Sequence, residues 1–155
     1  MTQHIDAFDI IGITIRTNNS NPHTLLSNMQ TLWGKFISEN IQEQIPNKLD
    51  NSIYCIYTEY ESDYTGDYTA FLGCKVSNLT NVPTGLTGKS FNAGYYKKFV
   101  SHGDLNKGVV YNTWQQIWNS DLNRAYVADF EVYNEQAQNP ENTIVEIFVG
   151  LKARI

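Results

Sequence analysis

The chain is short of almost everything that marks export, metal chemistry or nucleic-acid binding. It has two cysteines, Cys55 and Cys74; without an export signal they read as reduced, partly buried thiols, and a metal site would want more ligands at close spacing. The three histidines, His4, His23 and His102, are scattered, so spacing reveals neither a Cys-His nor a Ser-His-Asp grouping. Metal and nucleotide motifs are missing, and neither a cofactor nor a metal is expected. No apolar run reaches 18 residues, and the opening MTQHIDAFDI lacks the basic start and continuous apolar stretch of an export signal, so a cytoplasmic protein with no membrane contact is expected. Positive charge is scarce as well. Eleven Lys and Arg stand against 16 Asp and Glu, and no basic run exceeds Lys97-Lys98, which argues against a nucleic-acid backbone as direct partner.

What is plentiful is aromatic. Ten Tyr, seven Phe and three Trp make up 13% of the 155 residues, more than a core of this size needs, and aromatics also line pockets for flat or cationic ligands. A Tyr-rich sheet surface is the plainer explanation, since strands favour these residues. The length suits one domain over residues 1–155, able to bury about two thirds of its unfolded surface.

The run FDIIGITIRT, Phe8 to Thr17, reads as a first strand. Asn21 is suited to an N-cap and Pro22 to a first helical position. Leu25, Leu26, Met29, Leu32, Trp33, Phe36 and Ile37 then repeat at helical spacing to about Asn40. SIYCIYTEY (Ser52 to Tyr60) and YTAFLGCKV (Tyr68 to Val76) predict two strands joined as a hairpin through ESDYTGD. A second half begins with a strand over Ser90 to Val100, with a bulge or close approach at Gly94. It continues with a helix carrying Val109, Val110, Thr113, Trp114, Ile117 and Trp118, and ends in strands over Ala125 to Asn134 and Thr143 to Lys152. The expected fold is α+β: two pseudo-symmetric β-α-β-β units, over about 8–78 and 87–153, with two long helices and antiparallel sheets forming a central cleft.

Four stretches resemble the AraC-type effector-binding, or GyrI-like, domain family: Gly12 to Thr17, LWGKF (Leu32 to Phe36), AGYYKKFVSHG (Ala93 to Gly103), and DFEVY (Asp129 to Tyr133) with VEIFVGLK (Val145 to Lys152). The resemblance implies the same double β-α-β-β plan and a cleft for drug-like molecules, often lipophilic cations met by a buried Glu. The matching position is Glu131. Drug-sensing regulators of that family also carry a helix-turn-helix domain, for which these 155 residues leave no room, so the chain looks like a stand-alone member, a sensor or sequestering protein.

Alternation supports Glu131 independently. It sets Ala128, Phe130 and Val132 on one face of their strand and Asp129, Glu131 and Tyr133 on the other; in the last strand Val145, Ile147 and Val149 oppose Ile144, Glu146 and Phe148. The wholly apolar faces are expected to meet the helices, leaving Glu131, Tyr133, Glu146 and Phe148 together. A hairpin symmetric about EQAQNPEN sets Glu131 opposite Glu146, an arrangement that favours a cation between them. Water-exposed carboxylates are the alternative. Symmetry about Tyr64 pairs Tyr57 with Phe71, as cleft walls or as core, and Tyr96 is likewise wall or core. The three Trp are expected to pack in the core. The candidate ligand-binding set is thus Glu131, Tyr133, Glu146, Phe148, Tyr57, Phe71 and Tyr96, with no catalytic residue assigned and the oligomeric state open. A binder is favoured over an enzyme; a hydrolase of a reactive small molecule using the same Glu, and a gyrase-inhibitor-like module binding a protein partner, are the rivals.

Overall fold

The β-branched opening run extends as expected. In the computed structural model, which describes residues 2–152, β2 covers Phe8–Asn18, preceded by a short strand, β1, at Thr2–Ile5 that the sequence pattern had not announced. The first and last positions of the expected domain, 1 and 153–155, lie outside the described residues. Helix α1 covers Pro22–Ser38, capped by Asn21, whose Oδ1 accepts from the backbone N–H of His23 and Thr24 at 3.0 and 3.3 Å. A single turn, α2 (Ile41–Gln44), precedes the hairpin β3 (Ile53–Thr58) and β4 (Asp67–Val76). The strand expected over Ser90 to Val100 is two strands, β5 (Thr87–Phe91) and β6 (Gly94–Gly103), because the chain leaves one sheet edge at Asn92-Ala93 and crosses to the other. Helix α3 (Val109–Trp118), β7 (Arg124–Tyr133) and β8 (Thr143–Leu151) complete the fold.

All eight strands join one antiparallel sheet, curled into a half-barrel, in the order β1-β6-β8-β7-β3-β4-β2-β5. Read outward from the central β7/β3 pair, the order is the same on both sides: β7-β8-β6 matches β3-β4-β2. This is the pseudo-symmetry of two β-α-β-β units. Each edge strand belongs in sequence to the opposite half, β1 completing the second unit and β5 the first. Gly12 faces Gly73 where β2 and β4 come closest; a Cβ on Gly12 would stand 2.0 Å from the Leu72 carbonyl oxygen, so only glycine permits this approach.

Both helices lie on one face of the sheet. Leu32 and Phe36 of α1 pack on Ile11, Ile13, Ala70, Leu72 and Cys74, while Trp114 and Ile117 of α3 pack on Val145, Ile147 and Val149. The opposite face closes on itself as the sheet curls, burying Phe8, Ile10, Ile56, Phe71, Phe91, Tyr96, Phe130 and Phe148 with no helix over them. One expected half of the helix-facing surface is therefore corrected: Val145, Ile147 and Val149 meet a helix, but Ala128, Phe130 and Val132 face away.

The cause is register. Glu131 pairs with Ile147, Val132 with Glu146 and Phe130 with Phe148, one residue from the symmetric hairpin, because the loop after Tyr133 contains a 3-10 turn at Glu135–Ala137 and is not symmetric. In the first hairpin, Tyr57 pairs with Ala70 and Ile56 with Phe71, again one residue off, with Glu59 in a left-handed conformation at φ 52° just past β3. A one-residue slip sends a side chain to the other face. Glu146 and Phe71 are thereby separated from Glu131 and Tyr57 by the thickness of the sheet.

Candidate functional site

The apolar stripe of α1 is only half used for packing. Its C-terminal half supplies the buried Leu32 and Phe36, whereas Leu25, Leu26 and Met29, nearer the N-terminus, are not buried, and Leu26 is 58% exposed. These residues stand across from Val110, Tyr111, Trp114 and Trp118 of α3. Between the two helices lies a cavity of about 530 Å³, floored by Tyr57, Tyr68, Glu131 and Tyr133 of the sheet, with Tyr60 and Tyr64 from the β3-β4 connection at one end. The size suits a drug-like molecule.

Rings dominate its walls and hold one another in place. Tyr57 meets Tyr68 and Trp114 edge-on at 5.6 and 5.5 Å, Trp33 meets Tyr133 at 4.9 Å, and Tyr64 stacks on Trp118 at 5.7 Å with the planes 7° apart. Edge-to-face contacts of this kind fix ring orientation. A bound molecule therefore meets preset aromatic surfaces.

Glu131 lies at the bottom of this cavity, 2% exposed. Its Oε2 accepts from Tyr57 Oη at 2.8 Å and Trp114 Nε1 at 2.7 Å, and its Oε1 from Tyr133 Oη at 2.6 Å. All three donors are neutral. Among the described residues no Lys, Arg or His forms an ion pair with this carboxylate. Burial pushes its pKa up, and the hydrogen bonds from Tyr133, Trp114 and Tyr57 pull against that rise without cancelling it. Burial also raises the Tyr57 and Tyr133 phenols well above their ordinary range, with the carboxylate adding to the effect, so both remain donors. The result is a buried carboxylate on the cavity floor that has only neutral hydrogen-bond donors among the described residues.

A second buried acid lies two residues back on the same face of β7 and is fully matched. Asp129 Oδ2 accepts from Arg124 Nη2 at 2.8 Å and Tyr60 Oη at 2.5 Å, and its Oδ1 from the Gly150 backbone N–H at 2.7 Å. Arg124 reaches it because β7 is irregular between Arg124 and Asp129, with Tyr126 at φ 54° turning the chain. Among the described residues no group of three or more His, Cys, Asp or Glu is placed to hold a metal ion.

Of the residues singled out from sequence, the structure brings Glu131, Tyr57 and Tyr133 together. It sets the other four on the opposite face. Glu146 forms an ion pair with Lys98, Phe148 stacks on Phe130 at 4.9 Å, Phe71 packs against Phe91, and Tyr96 packs edge-on against Phe130 at 5.3 Å. The Trp residues pack as expected, Trp114 within the core and Trp33 and Trp118 against it, but all three also line the cavity, and Trp114 donates to Glu131. Tyr60, Tyr64, Tyr68, Tyr111 and Arg124 carried no local signal that marked them. The one usable hint was the apolar face of α1, broader than its packing against a sheet requires.

Comparison with known proteins covers nearly the whole chain. Residues 3–151 match the family model Cass2, integron-associated effector binding protein. The protein YobU of Bacillus subtilis (strain 168), by its name a candidate transcriptional regulator, is 27% identical over 152 residues, spanning 96% of this chain and 95% of YobU. An integron cassette protein from the mobile metagenome of Vibrio cholerae, VCH_CASS2, superposes with a TM-score of 0.76 at 29% identity over 98% of this chain and 95% of its own. The protein SAV2435, solved bound to tetraphenylphosphonium, shares the fold at a TM-score of 0.79 and 15% identity, covering 99% of this chain and 93% of its own. No helix among the described residues is long and apolar enough to cross a membrane. With the fold, the cavity and a family match over all but a few terminal residues, this chain belongs to the Cass2 family of integron-associated effector-binding proteins.

Proposed function

We propose that the protein binds small lipophilic cations in the cavity between α1 and α3, with Glu131 as the countercharge, and acts as a sensor or sequestering protein for them. The observation that carries this reading is a carboxylate 2% exposed, held by three neutral donors and paired with no cation among the described residues. An ionised carboxylate in such a place is costly unless a positive charge approaches it. The aromatic walls act in the same direction, since each ring face under a cation contributes about 0.5–2 kcal/mol, more where water is excluded. Tetraphenylphosphonium, the ligand of the SAV2435 structure, combines delocalised positive charge with four apolar rings and is the natural first probe.

Isothermal titration of the protein with tetraphenylphosphonium tests the reading. Saturable one-to-one binding is expected, with a rise in melting temperature that grows with ligand concentration, as for any ligand selective for the folded state. Absence of both at millimolar ligand, in a protein folded by circular dichroism, overturns the proposal.

A further inference from the structure

Glu131 is a carboxylate whose hydrogen-bonding capacity the protein has largely used. An ionised carboxylate offers about four acceptor positions. Tyr57 Oη and Trp114 Nε1 both donate to Oε2, and Tyr133 Oη donates to Oε1. At 2% exposed, the residue leaves almost no area for a ligand atom to touch. Asn19, an acceptor on the cavity wall, is engaged as well, its Oδ1 by Tyr68 Oη at 2.5 Å. What a ligand meets at the floor is therefore the side chains of Tyr57, Tyr133 and Trp114, with the negative charge behind them.

This arrangement treats two kinds of cation differently. A charge without N–H groups, as in a quaternary ammonium or phosphonium ion, is attracted by the carboxylate and by ring faces at a distance and needs no acceptor. An ammonium or guanidinium ion gives up a hydrogen bond to water for each N–H it brings in, and a donor left unmatched carries the full cost of that removal. We propose that the cavity selects cations that bear no N–H donor, and that Tyr133 sets this selectivity by occupying Oε1. Of the two carboxylate oxygens, Oε1 is the one with a single partner. Trp33 holds the Tyr133 ring edge-on at 4.9 Å, a contact that does not involve the phenol hydroxyl, so Tyr133→Phe frees the oxygen and keeps the wall.

This rests on the cation-binding reading above, and the test separates the two. The probes are (biphenyl-4-ylmethyl)trimethylammonium and its dimethyl analogue, protonated at pH 7, which exchanges one methyl group for one N–H. Their dissociation constants are measured by isothermal titration on the wild type, Tyr133→Phe and Glu131→Gln. The wild type is expected to bind the trimethyl probe about tenfold or more tighter. Burial of the extra methyl accounts for part of that preference, so the deciding quantity is its change on substitution. In Tyr133→Phe the preference falls by about tenfold, because the freed Oε1 accepts the N–H of the dimethyl probe in a charge-assisted hydrogen bond. A hydroxyl that served only to hold the floor together would weaken both probes alike and leave their ratio unchanged. In Glu131→Gln both probes weaken, and adding Tyr133→Phe to it moves the ratio by less than about twofold. If Tyr133→Phe does not fold, Tyr57→Phe, which frees a position on Oε2, must shift the ratio in the same direction. Equal binding of the two probes by the wild type, or a ratio that Tyr133→Phe leaves within about twofold, overturns this inference; the cation reading still stands if the trimethyl probe loses affinity in Glu131→Gln. Failure of both probes to bind the wild type overturns the two together.

Discussion

Replacing Glu131 by Gln removes one charge and almost nothing else. Gln keeps a carbonyl oxygen for Trp114 and Tyr57, and its amide can donate to Tyr133 Oη, so the floor of the cavity retains hydrogen bonds in place of those seen at 2.6–2.8 Å. A monovalent cation whose centre stops about 4.5 Å from the carboxylate gains about 3–4 kcal/mol at the effective dielectric near 20 that describes protein sites. Loss of that attraction weakens tetraphenylphosphonium binding about a hundredfold or more. The assay is isothermal titration at pH 8, where the raised pKa of Glu131 matters least. A neutral control, triphenylphosphine oxide, reports cavity shape alone and should change by less than about threefold. The reasoning fails if the cation loses less than about threefold, or if cation and neutral control lose affinity equally. The first outcome means that Glu131 does not see the charge, the second that the substitution damaged the cavity.

Further expectations follow from the same geometry. Because a proton and a ligand cation compete for Glu131, wild-type affinity for tetraphenylphosphonium should rise with pH from about 4.5 upward and level off above the raised pKa, by up to about tenfold per pH unit; a flat profile from titrations across that range would refute competition, and Glu131→Gln should be flat. Stability carries the opposite sign: the folded state keeps this proton over a window where the unfolded chain has lost it, so Glu131→Gln should gain in melting temperature on the wild type as pH rises through that window. Glu146→Ala, on the far face with Lys98, should change tetraphenylphosphonium affinity by less than about twofold; a loss comparable to that of Glu131→Gln would show that the two acids share one site. Asp129→Ala leaves Arg124 buried without its partner and should cost about 3–5 kcal/mol in urea unfolding. Gly12→Ala, whose new Cβ would stand 2.0 Å from the Leu72 carbonyl oxygen, should destabilise by more than about 3 kcal/mol or prevent folding, read from soluble yield and urea midpoint.

Local chemistry made much of this molecule legible in advance. The β-branched run from Phe8, the Asn21-Pro22 start of α1, the 3.6-residue spacing of its apolar side chains and the alternation along β7 each depend on residues within a turn or two of one another, and each is as expected. Glu131 itself was singled out by its resemblance to a family motif and by its position in the alternating strand. The edge strands were less accessible. Thr2–Ile5 is short and mostly polar on both faces, and it becomes a strand only because β6 offers it an open edge. The division at Asn92-Ala93 depends likewise on two distant edges that the chain must connect.

The composition of the cavity was decided at a different level. Alternation assigns side chains to one face or the other within each strand, but the faces of neighbouring strands are matched only by register, and register depends on loop geometry. One residue of slip at each hairpin, introduced by the 3-10 turn after β7 and the left-handed Glu59 after β3, put Glu146 and Phe71 across the sheet from Glu131 and Tyr57. Trp114 shows the same limit from the helix side. Its place on an apolar stripe is written in sequence, yet whether such a stripe meets a packed sheet or an open cavity depends on how far apart two helices are held. The sequence by itself determined the two helices, the inner strands, their order and the acid that lies on the cavity floor; the tertiary structure decided which rings surround that acid, because side chains from α1, α3 and both hairpins converge only when the sheet has closed its register and curled.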